Sequence, residues 1–386
     1  MKGKQSLPRK KTSPRPDQNS ASGAPFENSL PDITAGFCRG FQAALRGWFE
    51  TAQRDLPWRR TRDPYAIVVS ELMLQQTQVS KVIPFFEGFM AAFPTLESLA
   101  ESSEEEVLRH WSGLGYYRRA HYLLALAREV ANSHQGRFPR DKKQLLSLPG
   151  IGEYTAGAIL SIAFDIPSAL VDGNVERVLA RVFCCQEDLS TAHGKAVIWK
   201  IAEHLVPESG AGTFNQALME LGATLCLPQN PSCPACPIRA YCQAFQQGKA
   251  ASFPVKSRSS RKVRLEELVF LIEKQGSWLL SCSNHENLYP GMWQFPWRWV
   301  GSAAKDQSAT AGLHSEFPGI SVADWREFHR LKHGVTFRQI STLFLRTEVS
   351  ADFLCGNDFR WVKTTDLHLE ALPSYQKKII PFLIAD

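Results

Sequence analysis

Between residue 38 and about residue 245, apolar side chains recur at helical spacing. Phe41, Leu45, Trp48 and Phe49 fall on one face, as do Val107, Leu108, Trp111 and Leu114, and then Leu123, Leu126 and Val130. From Leu265 the rhythm changes. Leu268–Ile272 and Trp278–Leu280 flank Glu273-Lys-Gln-Gly276 like the arms of a hairpin, and further strands are predicted over Phe295–Val300, Thr336–Leu345 and Phe359–Val362. Residues 1–36 are rich in Pro, Ser, Lys and Gly and almost devoid of apolar runs, so they read as a disordered basic tail. Residues 246–264 are polar and basic, a linker. The pattern thus divides the chain into tail 1–36, helical domain 37–245, linker 246–264 and an α+β domain 265–386.

Two helical junctions carry candidate chemistry. Leu148-Pro-Gly150-Ile-Gly152-Glu-Tyr154-Thr155 reads as a helix ending in a glycine turn with a new helix behind it. Gly150 and Gly152 let the backbone approach a ligand closely, and the unpaired N–H groups of the next helix suit a phosphate. Pro167–Val171 is an extended apolar run that delivers Asp172-Gly-Asn174 in front of a helix at Val175–Val182. The plain reading of Asp172 is a helix N-cap. Earlier, Pro64–Thr77 places one carboxylate, Glu71, inside an otherwise apolar helical stretch. A lone Glu there is usually on the solvent face. Facing a closed pocket, it would be kept protonated near neutral pH by desolvation, as a general acid requires.

Charge changes the picture through its placement. The net charge is only +6, yet residues 1–36 carry six basic and three acidic side chains and residues 249–264 carry six basic and none acidic, which leaves the rest at −3 (6 − 3 − 6). Basic flexible segments are expected of a nucleic-acid partner, and solvated linkers look the same. At 386 residues the chain has room for two or three domains. No apolar run reaches the length of a membrane span and no signal-peptide core opens the chain, so we expect cytoplasm in a bacterium, or the nucleus in a eukaryote given Arg9-Lys10-Lys11.

Of nine cysteines, five show no ligand spacing. Cys226, Cys233, Cys236 and Cys242 form C-x6-C-x2-C-x5-C directly after the apolar helix Phe214–Leu225. Four thiols so close need a metal or disulfides, and disulfides are disfavoured without secretion. Zinc is a structural possibility.

Glycine hairpin, Val171-Asp-Gly-Asn-Val-x-Arg-Val178 and cysteine loop together resemble the helix-hairpin-helix DNA glycosylases. Leu56-Pro-Trp-Arg59, Ser70-Glu-Leu-Met-Leu-Gln-Gln-Thr-Gln-Val79, Trp111-Ser-Gly-Leu-Gly-Tyr-Tyr-Arg118 and Phe214-Asn-Gln-Ala-Leu-Met-Glu-Leu-Gly222 look like the adenine glycosylases of the MutY type. The resemblance runs from about residue 37 to the C-terminus. It implies a mainly α domain with a [4Fe–4S] cluster on the four cysteines, and a Nudix-like α+β domain behind it. It implies a monomeric enzyme that removes adenine opposite 8-oxoguanine or guanine in double-stranded DNA, with replication or repair proteins as partners. Catalysis would fall to Glu71 as acid and Asp172 as carboxylate, supported by Tyr154 and Asn174. Gly150, Gly152, Arg59 and Gln216 would contact DNA, and Gln76 and Tyr116 would enter the base stack. The alternative is an endonuclease III-like glycosylase with lyase activity. Those enzymes carry a lysine amine where this chain has Tyr154, and an amine is what strand cleavage through a Schiff base needs.

Leu288-Tyr-Pro-Gly-Met-Trp-Gln-Phe-Pro296 resembles the signature of the Nudix-like domain, while residues 301–319 lack the acidic cluster of a pyrophosphate-hydrolysing Nudix helix. Family members commonly carry Phe-Ser-His in the loop that probes the lesion. Here Val335, Thr336 and Phe337 align at those places, with phenylalanine for histidine; an alternative register puts His333 there.

Overall fold

The computed structural model describes residues 33–257, 263–282, 289, 291–300, 324–335, 337–350 and 358–385. Most of the basic tail and Thr336 lie outside them.

Helix α1 (Ala35–Ala52) starts at Thr34, whose side chain accepts the Phe37 N–H, and buries Phe41, Leu45 and Phe49. Helix α2 (Pro64–Leu74) is capped by Asp63 and has Pro64 in its first turn, where a missing N–H costs nothing. It has no polar face, because every residue from Tyr65 to Met73 is buried. Helices α3 (Val79–Ala92), α4 (Leu96–Glu101), α5 (Glu104–Trp111) and α6 (Arg118–Ser133) pack with α2 around Phe89 and Trp111. A hairpin of short helices follows, α7 (Lys142–Ser147) and α8 (Glu153–Ala158), the latter running into a π turn at Ile159–Ala163. Then α9 (Gly173–Val182), α10 (Ala192–Leu205) and α11 (Ala211–Thr224) join α1 in a second core. Helix α12 (Gln243–Gln246) closes the cysteine loop.

The expected linker is not free chain over its first part. Phe253 is buried, the Leu189 N–H donates to the Val255 carbonyl at 3.0 Å, and the Ser257 N–H reaches the Asp188 carboxylate. Its last two residues, Val263 and Arg264, already belong to a strand.

That strand, β1 (Val263–Lys274), is the centre of a six-stranded sheet with β2 (Ser277–Ser281), β3 (Trp297–Val300), β4 (Arg326–Val335), β5 (Arg338–Glu348) and β6 (Phe359–Lys363). The path is β4-β5-β1-β2-β6, with β3 on β1; β1 runs parallel to β5, pairing Leu268 with Leu343. Gln275 and Gly276 both have positive φ, the turn that a two-residue hairpin between β1 and β2 demands. Strand β4 was not predicted. It is an edge strand of largely charged, half-exposed residues, so it lacks the apolar alternation that marks a strand. Short helices α13 (Ser374–Lys377) and α14 (Ile380–Ala385) cover one face.

The two parts touch. The Ser112 hydroxyl donates to the Leu372 carbonyl at 3.2 Å, Arg360 pairs with Glu105, and the rings of Tyr117, Tyr289 and Tyr375 follow one another at 6.0 and 5.8 Å.

Candidate active site

A cavity of about 630 Å³ lies between the two helical cores, and both predicted carboxylates line it. Glu71 reaches it from α2. Because that helix is buried all round, its one carboxyl has no water-facing side, and only 5% of the residue is exposed. Burial pushes its pKa from 4.5 to about 7, against the opposing effects of a Tyr154 hydrogen bond and Arg59, and with Asp172 adding to the rise. The Tyr154 hydroxyl donates to Glu71 Oε2 at 2.5 Å and lies 3.4 Å from Met219 Sδ. Tyr154 is thus in the cavity beside the acid.

Asp172 is both N-cap and cavity wall. Its Oδ1 accepts the N–H groups of Asn174 (3.0 Å) and Val175 (2.7 Å), and its Oδ2 accepts the Asn174 side-chain amide at 2.8 Å. Burial raises its pKa; these hydrogen bonds and Arg177 work against that rise. Asn174 is held in turn. Arg177 donates to Asn174 Oδ1 and the Gly222 carbonyl (both 2.8 Å), and its Nε donates to the Cys226 carbonyl at 2.8 Å. Helices α9 and α11 meet closely here, since a Cβ on Gly222 would come within 2.6 Å of Asn174 Cβ.

Sequence reasoning missed a third carboxylate, Glu220 on α11, which is 1% exposed and also lines the cavity. Burial would raise its pKa, but Arg54 (2.7 Å to Oε1) and Arg59 (2.8 Å to Oε2) overcome that and hold it at about 2. The available signal was the one that marked Glu71, a lone acid in an apolar helical run.

Arg59 and Gln216 line the same cavity, and Gln76 sits at its rim. Gln76 and Tyr116 are exposed residues with left-handed backbones, φ 55° and 51°. In the hairpin, Gly150 has φ 74° and a Cβ there would strike Tyr122 Cβ at 2.6 Å, whereas nothing lies within 4 Å of a Cβ on Gly152. The site residues of the C-terminal part do not gather at the cavity. Val335 ends β4 opposite Arg338, and Phe337, half exposed, lies on the turn. His333 is turned inward, stacked on Tyr375 at 4.2 Å with Nε2 3.2 Å from Thr342 Oγ1. Lys332–Val335 is strand rather than loop, and its pairing fixes which face each side chain takes.

Cys226, Cys233, Cys236 and Cys242 are free thiols lining one small hollow with Val178, Leu221 and Ile238. The buried guanidinium of Arg181 donates to Cys226 Sγ at 3.3 Å and to the carbonyls of Leu227 and Pro228. Among the described residues no group of three or more His, Cys, Asp or Glu is already drawn together as a metal site.

Residues 69–204 match the model of the HhH-GPD superfamily base excision DNA repair protein. The adenine DNA glycosylase of Buchnera aphidicola subsp. Acyrthosiphon pisum is 33% identical over 342 residues, covering 88% of this chain and 96% of that one. The human adenine DNA glycosylase is 45% identical over 239 residues, 60% of this chain and 43% of its own; the match spans less than half the length of that relative and of the rat one. Among solved structures, a thermostable thymine-DNA glycosylase superposes with TM-score 0.50 and 32% identity, covering 56% of this chain and all of that one. With a near full-length relative above 30% identity, the chain belongs to the adenine DNA glycosylase family.

Proposed function

We propose that this protein excises adenine from double-stranded DNA where it is mispaired with 8-oxoguanine or guanine, and leaves the sugar–phosphate strand intact. The observation that carries this reading is one cavity lined by a carboxyl with pKa near 7, a second carboxylate, and a tyrosine bonded to the first, at the position where the resemblance gives lyases an amine. A cavity of this size suits a single extruded nucleotide.

The chemistry follows from adenine being a poor leaving group. Glu71, protonated, gives its proton to N7 of the flipped base; its Oε2 is taken by Tyr154, so Oε1 is the oxygen left for the base. The C1′–N9 bond then breaks with its electron pair going to the base, and the sugar becomes an oxocarbenium ion. The Asp172 carboxylate, oriented by Asn174 and the N-terminus of α9, stabilises that cation. Water adds at C1′ and yields its proton to a carboxylate, the division of labour seen in glycosidases. Tyr154 has no amine to form a Schiff base, which argues against the lyase alternative. Gly150 and Gly152 would hold a phosphate, Arg59 and Gln216 would contact the nucleotide, Gln76 and Tyr116 would fill the vacated stack, and Phe337 would meet the opposing base.

The four thiols fit a [4Fe–4S] cluster: four cysteines line one apolar hollow, and a buried arginine donates to one of the sulfurs. Bound there, the cluster would fix the loop 226–242 beside DNA. Iron and sulfide content and visible absorbance of the purified protein, lost in Cys236→Ser, test this.

The activity is tested with duplexes carrying adenine opposite 8-oxoguanine, adenine opposite guanine, or an oxidised thymine, each with and without alkali. Breakage at adenine only after alkali is expected. Breakage without alkali, or at oxidised thymine, overturns the reading.

A further inference from the structure

Arg119, on the first turn of α6, is 6% exposed and makes no ion pair with a carboxylate among the described residues. Its guanidinium instead faces two turns. On one side Nη1 donates to the carbonyls of Leu72 (2.7 Å), Met73 (2.9 Å) and Gln75 (2.5 Å), and Nη2 to Thr77 Oγ1 (3.2 Å). On the other side Nη2 donates to the Gly115 carbonyl (2.9 Å) and Nε to that of Tyr116 (3.3 Å). The first set closes the C-terminus of α2 around Gln76; the second closes the loop that carries Tyr116. Both residues sit in a backbone region that non-glycine residues avoid, so each turn needs external fixing. A helix end also leaves carbonyls without partners, and a fully buried cation needs acceptors. Arginine's planar fork satisfies both turns at once, and its charge lies 5.3 Å from the Tyr116 ring.

We propose that Arg119 is a positioning residue that clamps the Gln76 turn to the Tyr116 turn, and so sets how the two side chains enter the duplex together. The inference rests on the proposed role of Gln76 and Tyr116 as the groups that fill the stack. An ammonium is a single point donor and cannot bridge both turns, so Arg119→Lys keeps the charge and loses the clamp.

The experiment uses the full chain and a duplex with 2-aminopurine at the target position, whose fluorescence rises on unstacking. It also uses two excision substrates, adenine mispaired in an intact duplex and adenine opposite an abasic site, where no opposing base has to be parted from it or held in place. Arg119→Lys is expected to blunt the fluorescence rise and slow excision from the intact duplex by about tenfold, the scale of one or two hydrogen bonds left unmade, while excision opposite the abasic site stays within about threefold. Equal loss on both substrates, or no loss on either, overturns the proposal. If Arg119→Lys does not fold, Thr77→Val removes one side-chain acceptor of the clamp; a loss of about threefold confined to the intact duplex is expected, and no loss overturns the proposal. Gln76→Ala and Tyr116→Ala separate the layers: if neither alters unstacking, the reading of those residues fails, whereas if both do and Arg119→Lys does not, the clamp alone fails.

Discussion

The Tyr154 hydroxyl and the Glu71 carboxyl are joined by a 2.5 Å hydrogen bond inside the cavity, although they come from α8 and α2, on opposite sides of the α3–α7 segment. That bond favours the ionised acid and partly offsets burial. In Tyr154→Phe the offset disappears, so the pKa of Glu71 rises further above 7. Under single turnover the fall of excision rate at high pH should move to higher pH in the variant. A limb that stays put would mean another group sets it.

The same pKa makes Glu71 a stability determinant. Its folded value, about 7, lies above an ordinary glutamate's 4.5, so the folded state holds the proton more tightly. Its contribution is fully present below pH 4.5 and is lost as pH rises through 7. Glu71→Gln cannot ionise. Relative to the parent it should therefore gain about 3 kcal/mol in denaturant unfolding between pH 4.5 and pH 8, while excision is abolished. A stability gap that is flat with pH would place the titration elsewhere.

Asp172→Asn separates capping from catalysis. Asparagine caps helices about as well as aspartate, so α9 should form and stability should fall by about 1 kcal/mol or less. The neutral amide cannot stabilise a cation, and its NH₂ group opposes the Asn174 amide that now donates to Oδ2. Excision should drop by roughly 100-fold or more with duplex binding retained. Near-normal single-turnover rates would remove Asp172 from the sugar.

Glu220 holds Arg54 and Arg59 together at the cavity wall. Glu220→Ala leaves both cations without their carboxylate, Arg54 with its side chain 39% exposed less severely than Arg59 at 11%. Thermal or denaturant unfolding should show a loss of about 2–3 kcal/mol. A loss below about 0.5 kcal/mol would mean that the two arginines find water instead.

Much of this was legible in the sequence, for physical reasons that also explain what was not. Glu71 stood out because a carboxylate in a helix apolar on every side has nowhere to hide except a pocket. Asp172 stood out because an extended run into Asp-Gly-Asn must end at a helix cap. Glu220 gave the same signal as Glu71 and was passed over inside a familiar motif. Arg119 gave none: an arginine in Tyr-Tyr-Arg-Arg looks like a solvated helix start, and its acceptors are backbone carbonyls, which no side-chain pattern records. The edge strand β4 was hidden by its own charges. With it went the register of the β4–β5 turn, because a loop reading of Lys332–Arg338 leaves the facing of His333 undecided.

That register gives the last prediction. Phe337 is half exposed on the turn, whereas His333 is inside the sheet against Tyr375, near the Glu267 carboxylate that accepts the Tyr375 hydroxyl at 2.9 Å. Substituting each by alanine should therefore fail in different ways. His333→Ala removes a stacked, hydrogen-bonded ring and should destabilise the C-terminal part by about 1–3 kcal/mol, with little change in the preference between opposing bases. Phe337→Ala leaves no buried gap and should barely alter unfolding. Its effect should appear in the ratio of excision rates for adenine opposite 8-oxoguanine and opposite guanine, which is expected to shrink by about threefold to tenfold, the scale of one aromatic contact. If instead His333→Ala narrows that ratio at unchanged stability, the histidine reaches the DNA and the strand register of β4 must shift on binding.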